Sequence, residues 1–425
     1  MRYVMITQRF LFLVLSVILL GHALADYSHA DSAAVLPRGS WQIFTESRIF
    51  ADIGEFYNNE GDKTPLGAPF SIPLAPVFGA GPPLDFGTSQ VTITNHVKEL
   101  EFIPAFGLTN KLSLGLIIPY TPEFNTDFSF TNNTATANFG FISGTLTPCP
   151  LAGGPPCAPA DLNSVNAALA TLGFKPLGNR TRSGVGNIKV GGRYQYFDAE
   201  HFRAAFTGGV ILPTGDEHDP DDLLFVPIGF HAWGLFFEFQ QDLLFQQPGL
   251  GRTLGYPVPG DFFLNATVKY DLSLPDSDTF RVCATPPFCP ASSKVELDRN
   301  LGDVIKVELQ PTVGVLKGVL LGGRYRYTYV TKTEFSGGPP GIPVDTLEAN
   351  TEEQAHEWRI TLTLTSIPWV IEKKFPLPFA FNLSYRDRFA GDNGPFVSQY
   401  TGFDFVFYGF SEFLRGLAGG DDSRT

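Results

Sequence analysis

The chain is poor in charge, poor in cysteine and, beyond its first 25 residues, without a long apolar run. Only 17% of its 425 residues are charged, against 43% hydrophobic. Intrinsic disorder needs the reverse balance. Four cysteines are too few for a disulfide-dense secreted scaffold. A basic excess is missing as well, since 30 Lys and Arg stand against 43 Asp and Glu, a formal net charge of -13. Nucleic-acid surfaces normally carry a basic face, so no nucleic-acid partner is expected. No later stretch approaches the ~18–20 apolar residues of a transmembrane helix. What the chain has in quantity is 44 Gly, 34 Pro and 40 Phe. Glycine and proline weaken helix interiors, so a helical bundle fits poorly.

Residues 1–25 have the build of a cleaved secretory signal. Arg2 and Arg9 supply the positive start, Phe10 to Leu20 is apolar except for Ser16, and Ala23 and Ala25 flank Leu24 before Asp26. The apolar core is too short for a membrane anchor. An exported chain without a later apolar span either stays soluble or crosses a membrane as strands, whose mark is alternation over ~10 residues.

That alternation recurs along the chain. Ile188, Val190, Gly192, Tyr194 and Tyr196 oppose Lys189, Gly191, Arg193 and Gln195. Leu264, Ala266, Val268 and Tyr270 oppose Asn265, Thr267, Lys269 and Asp271. Trp358, Ile360, Leu362 and Leu364 oppose Glu357, Arg359, Thr361 and Thr363. Period two means strands with one apolar and one polar face. Strands in soluble sandwiches usually run ~5–6 residues. These runs are about twice as long, the ~9–11 tilted residues that cross a bilayer. The fold expected is therefore all-β: a transmembrane antiparallel up-and-down barrel of about fourteen strands, range 12–16, with long extracellular loops.

The expected strands are 41–52, 91–106, 111–120, 185–197, 202–213, 223–231, 234–245, 262–272, 279–283, 303–315, 319–331, 354–367, 377–389 and 398–410. Of these, 279–283 is short, and 91–106 carries a face switch near 97–100 that suggests a bulge. Short turns are expected near 107–110, 198–201, 232–234 and 316–318, with a longer one at 368–376. Outer loops are expected at 53–89, 121–184, 214–222, 246–261, 284–302, 332–353 and 390–397. Asp161 to Leu172 reads as a helix inside the longest loop, with Asp161 as N-cap and Gly173 as its stop. The domain reading is a signal peptide at 1–25, a periplasmic segment at 26–40, an outer-membrane barrel at 41–410 and a tail at 411–425.

Cys149 and Cys157 share one expected loop, and Cys283 and Cys289 share another. An even cysteine count in an exported chain points to disulfides, and local pairing is the simplest of the three connectivities. A four-thiolate zinc site fits the Pro- and Gly-rich spacing less well. The acidic run Asp216, Glu217, Asp219, Asp221 and Asp222 offers oxygens to calcium, but lacks the order of an EF-hand. A solvated loop is the simpler reading. The few histidines show no catalytic spacing, so neither an enzyme nor a cofactor is expected.

The polar strand faces would line a wet lumen. The expected pore-lining residues are Lys189, Arg193, Arg203, Lys269, Lys306, Glu308, Arg324, Arg326, Glu357, Arg359 and Arg386, with Asp271 and Arg388 on the same register. Basic groups outnumber acidic ones in that set. Charge rings of this kind set selectivity in pores. A salt-bridge network that only fills the barrel is the alternative.

Three runs carry a family resemblance: Phe106 to Gly115 with Pro119 and Tyr120, Gly184 to Tyr194, and Ile211 to Asp216. They resemble hairpins of the outer-membrane putative transporters linked to the phenol-degradation meta pathway. More distantly they are similar to long-chain fatty-acid transport porins. The likeness covers roughly residues 100–230, with a looser match of strand rhythm to 410. It implies a barrel for uptake of small hydrophobic or aromatic molecules and supplies no catalytic residues. The reading is thus a passive channel or transporter in the bacterial outer membrane, with membrane lipid and a small-molecule solute as partners and its oligomeric state open. The alternative is a non-transport, structural or adhesin-like barrel whose work lies in its loops.

Overall fold

The computed structural model describes residues 32–154, 156–245, 259–283 and 288–410. The expected signal peptide and the 411–425 tail lie outside the described residues. Twelve antiparallel strands close into one barrel. They are β1 (Ser40–Phe50), β2 (Thr88–Gly107), β3 (Leu112–Asn133), β4 (Lys189–Asp198), β5 (Phe202–Ile211) and β6 (Gly234–Phe245). The others are β7 (Phe262–Ser273), β8 (Val304–Leu316), β9 (Val319–Val330), β10 (Glu353–Thr365), β11 (Phe379–Asp392) and β12 (Gln399–Phe410). Each strand pairs with its neighbours in sequence, and β1 pairs with β12 from Ser40↔Phe410 to Phe50↔Tyr400. Closure leaves no sheet edge, as a hydrocarbon surrounding demands.

Twelve strands replace the expected fourteen, and two segments account for the difference. Residues 223–231 contain Pro227 and Gly229, the latter at φ 75°. They form no ladder, and several of their backbone N–H groups go to side chains: Ile228 N donates to Asp216 Oδ2 and Phe230 N to Asn187 Oδ1. Residues 279–283 fall on a short strand, Asp276–Arg281, in a separate sheet with Lys294–Asn300 and Glu334–Ser336. Removing these two reverses strand direction between them. The expected turn at 232–234 therefore sits at the long-loop end. Phe245, which ends β6, and Phe262, which begins β7, lie at the turn end; most of the expected outer loop 246–261, residues 246–258, lies outside the described residues.

The two barrel ends differ. Turns at 108–111, 199–201 and 317–318 occupy one, and the connections 51–87, 134–188, 212–233, 274–303 and 331–352 occupy the other. This asymmetry marks the second as the outer end. Outward faces carry exposed Leu100, Phe102 and Phe106 on β2 and Leu114 and Tyr120 on β3. Higher up, the same faces become polar, with Thr92, Thr94, His96 and Lys98 beside Glu123, Asn125 and Asp127. The apolar-to-polar change places the membrane boundary between Lys98 and Leu100. A register shift falls there, where a bulge was expected. The outer halves of β2 and β3 thus rise above the bilayer, and the expected loop 121–184 begins as strand.

The outer connections pack into a cap with its own apolar core, including Phe56, Leu66, Phe70, Phe86, Phe141, Leu169 and Leu224. The expected helix is present as α1 (Leu162–Thr171). Asp161 Oδ1 accepts from Ser164 N at 2.8 Å, and Asp161 N donates to Ser164 Oγ at 2.8 Å, a reciprocal cap. Gly173, at φ 80°, ends it. Both disulfides are local, Cys149–Cys157 and Cys283–Cys289. The acidic run is a clamp rather than a solvated loop. Asp216 pairs with Arg182, Asp219 with Lys175, Asp222 with Arg180, and Asp221 with both Arg281 and Lys294. Arg281 also donates to the carbonyls of Leu172, Gly173 and Cys289, tying three outer connections together.

Candidate functional site

The inward faces divide the lumen into two levels. At mid-barrel, charged side chains interlock. Glu357 on β10 accepts from Arg326 at 3.0 Å, Arg386 at 2.6 Å and Arg388 at 3.4 Å. Arg359 reaches over two strands to Glu46 at 3.1 Å and also pairs with Asp404 at 3.0 Å. Arg48 pairs with Glu46, Glu99 and Glu101 at 2.9–3.2 Å. Glu308 pairs with Arg326 at 2.5 Å and with Lys269 at 3.3 Å. Lys189 on β4 meets Asp271 on β7 at 2.9 Å. The Tyr400 ring sits among the guanidiniums of Arg48, Arg359 and Arg386, 5.1–5.9 Å from its centroid. Buried ions persist only when paired in this way.

Nearer the turn end the lumen opens into a cavity of about 250 Å³. Its walls include Phe44, Ile103, Ile117, Phe236, Phe263, Leu320 and Tyr408, with Arg193, Lys189, Thr207, Gln310 and Thr363 among the polar groups. Small inward residues leave this room: Ala105, Gly115, Gly191 and Gly322. Gly191 and Gly209 also let the Phe236 ring lie flat on the wall, because a Cβ on either would come 2.6 Å from that ring. Two strand prolines flank the cavity. The β2–β3 ladder breaks between Phe102↔Ile118 and Ala105↔Gly115, around Pro104. The β8–β9 ladder breaks between Leu309↔Tyr325 and Thr312↔Gly322, around Pro311. Proline has no N–H to give to a ladder.

The segment before β1 enters this level. Asp242 Oδ2 accepts from Ser32 Oγ at 2.8 Å and from Ala33 N at 3.0 Å. Arg193 Nη1 donates to Ser32 O at 2.7 Å, and Leu36 N donates to Ser113 Oγ at 2.8 Å. Ser32 and Ala34 to Pro37, within the expected periplasmic segment 26–40, thus form one wall of the cavity.

All eleven residues expected to line a pore sit on inward faces. Lys189, Arg193, Lys269, Lys306, Glu308, Arg324, Arg326, Glu357, Arg359 and Arg386 belong to the mid-barrel or its border with the cavity, and Arg203 lies near the turn end beside Asp198. The expected local basicity does not hold. Buried Glu46, Glu99, Glu101, Glu238, Asp242, Glu353 and Asp404 share the interior and offset it. These carboxylates were legible from parity alone: Glu46 follows Gln42 and Phe44 at period two, and Glu238 and Asp242 do so within a Phe-rich strand.

A closed antiparallel barrel with an apolar exterior and a polar interior defines a class, the outer-membrane barrel protein. No family model matches the chain, and no curated protein matches it. No family match therefore supports the resemblance to the phenol-pathway transporters. Among solved structures, an outer-membrane channel from Pseudomonas putida F1 has a similar fold, with a TM-score of 0.50 at 14% identity over 91% of this chain and 100% of that one. The CymD monoaromatic hydrocarbon channel aligns over 88% of this chain and 89% of that one, at 9% identity and a TM-score of 0.33. A Pseudomonas aeruginosa FadL homologue aligns over 88% and 91%, at 9% identity and a TM-score of 0.32. At 14% identity the likeness to the Pseudomonas putida channel is one of fold.

Proposed function

We propose that this protein is an outer-membrane channel through which small hydrophobic or aromatic solutes move down their gradient. The observation that carries the reading is the cavity inside the barrel, walled by Phe44, Phe236, Phe263 and Tyr408 and held open by small residues. Apolar walls with a few polar groups are what small-molecule sites present. A ring of solute size packs on Phe236, while Thr207 and Gln310 offer hydrogen bonds to a polar substituent. The charged level above is the selective barrier, since its paired groups must part for a solute and re-form behind it. Below, the 32–36 segment must yield at Asp242 and Arg193. No step needs a cofactor.

A second reading has its own support. The interlocked charges at mid-barrel also suit a closed, structural barrel whose work lies in the cap. Reconstitution into liposomes separates the two. Uptake of small aromatic solutes ahead of sugars of equal size, lost on Gly115→Leu, supports the channel; vesicles that take up neither solute overturn it.

A further inference from the structure

We infer that the turn end of β8–β11 carries a docking surface for an anionic phospholipid of the inner leaflet. The connection after β10 forms a short helix, Ile367–Ile371, and then returns to β11. Ile367 and Val370 are buried, and Ile367 joins the apolar floor of the barrel with Phe44 and Leu320. That anchoring turns Trp369, Phe375 and Leu377 outward, each about two-fifths exposed. Trp369 lies against Gly318 in the neighbouring turn, where a Cβ would approach its ring to 2.3 Å. Lys317, beside Gly318, places its ammonium 5.6 Å from the same ring.

Charge collects at this spot. Lys317 and Lys374 both pair with Glu372, and Lys373 is exposed beside them, so three cations share one anion. The 199–201 turn of this end differs, being flanked by Asp198 and containing Glu200, and the 108–111 turn holds the single cation Lys111. Above the lysines runs an aromatic band on the lipid face. Phe375, Phe379, Phe405, Phe407 and Trp41 follow one another with ring centroids 5.8–6.4 Å apart. Tryptophan prefers the level of the headgroups, and membrane barrels carry aromatic girdles at both interfaces. The lysines therefore stand at headgroup depth with acyl-chain contacts directly above. A negatively charged lipid satisfies both halves of this surface, and a zwitterionic lipid satisfies only the aromatic half.

The test uses the folded, full chain in vesicles and reads quenching of tryptophan fluorescence by brominated lipids. The part due to Trp369 is the difference between wild type and Trp369→Phe. We expect brominated phosphatidylglycerol to be favoured over brominated phosphatidylcholine by roughly five- to thirtyfold, the range for one to two net positive charges near a surface. The preference should fall to parity in Lys317→Gln/Lys373→Gln/Lys374→Gln and shrink in wild type as salt rises. Excess inorganic phosphate should leave it unchanged, because phosphate has no acyl chains for the aromatic band. Equal quenching by the two lipids in wild type, a preference that survives both the triple variant and high salt, or its loss to inorganic phosphate would each overturn the assignment. The salt series on unaltered protein keeps the question answerable if the triple variant misfolds. None of these outcomes depends on conductance.

Discussion

The two levels of the lumen are built by the same strands with the same alternation, yet one is filled and the other is open. At mid-barrel, inward positions hold Arg, Lys and Glu, whose long side chains reach over two strands to partners such as Glu46 from Arg359. Nearer the turn end, inward positions of the same strands hold Gly115, Gly191 and Gly322, and room remains. Side-chain volume, not backbone geometry, decides which level is filled. Charge at the filled level is held by mutual pairing.

The sharpest way to break this contrast is at Glu357. Truncation to Ala leaves Arg326, Arg386 and Arg388 facing one another without their shared acceptor. A buried pair broken on one side costs about 3–5 kcal/mol, so the barrel should unfold at clearly lower urea in lipid vesicles. Glu357→Gln should lose less, since it still accepts hydrogen bonds. The second test fills the open level. The space around Gly115 admits a side chain, its nearest neighbours to an added Cβ being 3.7 and 3.8 Å away. Gly115→Leu should therefore keep the fold and remove most of the solute flux. If flux is unchanged, the path does not use the cavity.

Asp242→Ala is expected to act more mildly. It removes the hydrogen bonds that Asp242 accepts from Ser32, Ala33 and Asn265, at about 1 kcal/mol each. The segment should leave its wall more often, and single-channel recordings should show a several-fold rise in conducting time. The smallest effect leaves both levels alone. His218 lies in the cap, stacked on Phe280 at 5.0 Å. Burial, with help from the Arg299 charge, pushes its imidazole down to about 4. The unfolded loop then binds a proton that the folded loop refuses, between about pH 6.5 and 4. Stability from this group is full above that window and falls as pH drops through it. Asp221, lowered by its hydrogen bonds from Lys294 and Arg281 against the effect of burial, loses stability in the same direction. Protection factors of residues 212–233, referred to the intrinsic exchange rate at each pH, should fall from pH 7 to pH 5 while those of the barrel strands hold.

Much of the barrel was legible because lipid enforces period two on every strand. Where the pattern misled, it did so in the cap, where no lipid reads it. Residues 223–231 alternate Leu224, Val226, Ile228 and Phe230, but they bury those side chains in loop packing and meet Pro227 midway. The inward charges were legible by parity, and their carboxylate partners were missed where strands such as β6 are dominated by Phe. The cavity itself was not legible. It arises from small residues on different strands, Gly115, Gly191 and Gly322, that only barrel closure brings to one height.

The disulfides bear on how such a barrel is made. Each links residues of one connection, Cys149 to Cys157 and Cys283 to Cys289, eight and six positions apart. Neither ties one hairpin to another. A chain oxidised in transit through the periplasm thus remains topologically linear at the scale of strands. The cross-links impose no order on the hairpins, and the outer loops can acquire them before a single strand has entered the membrane.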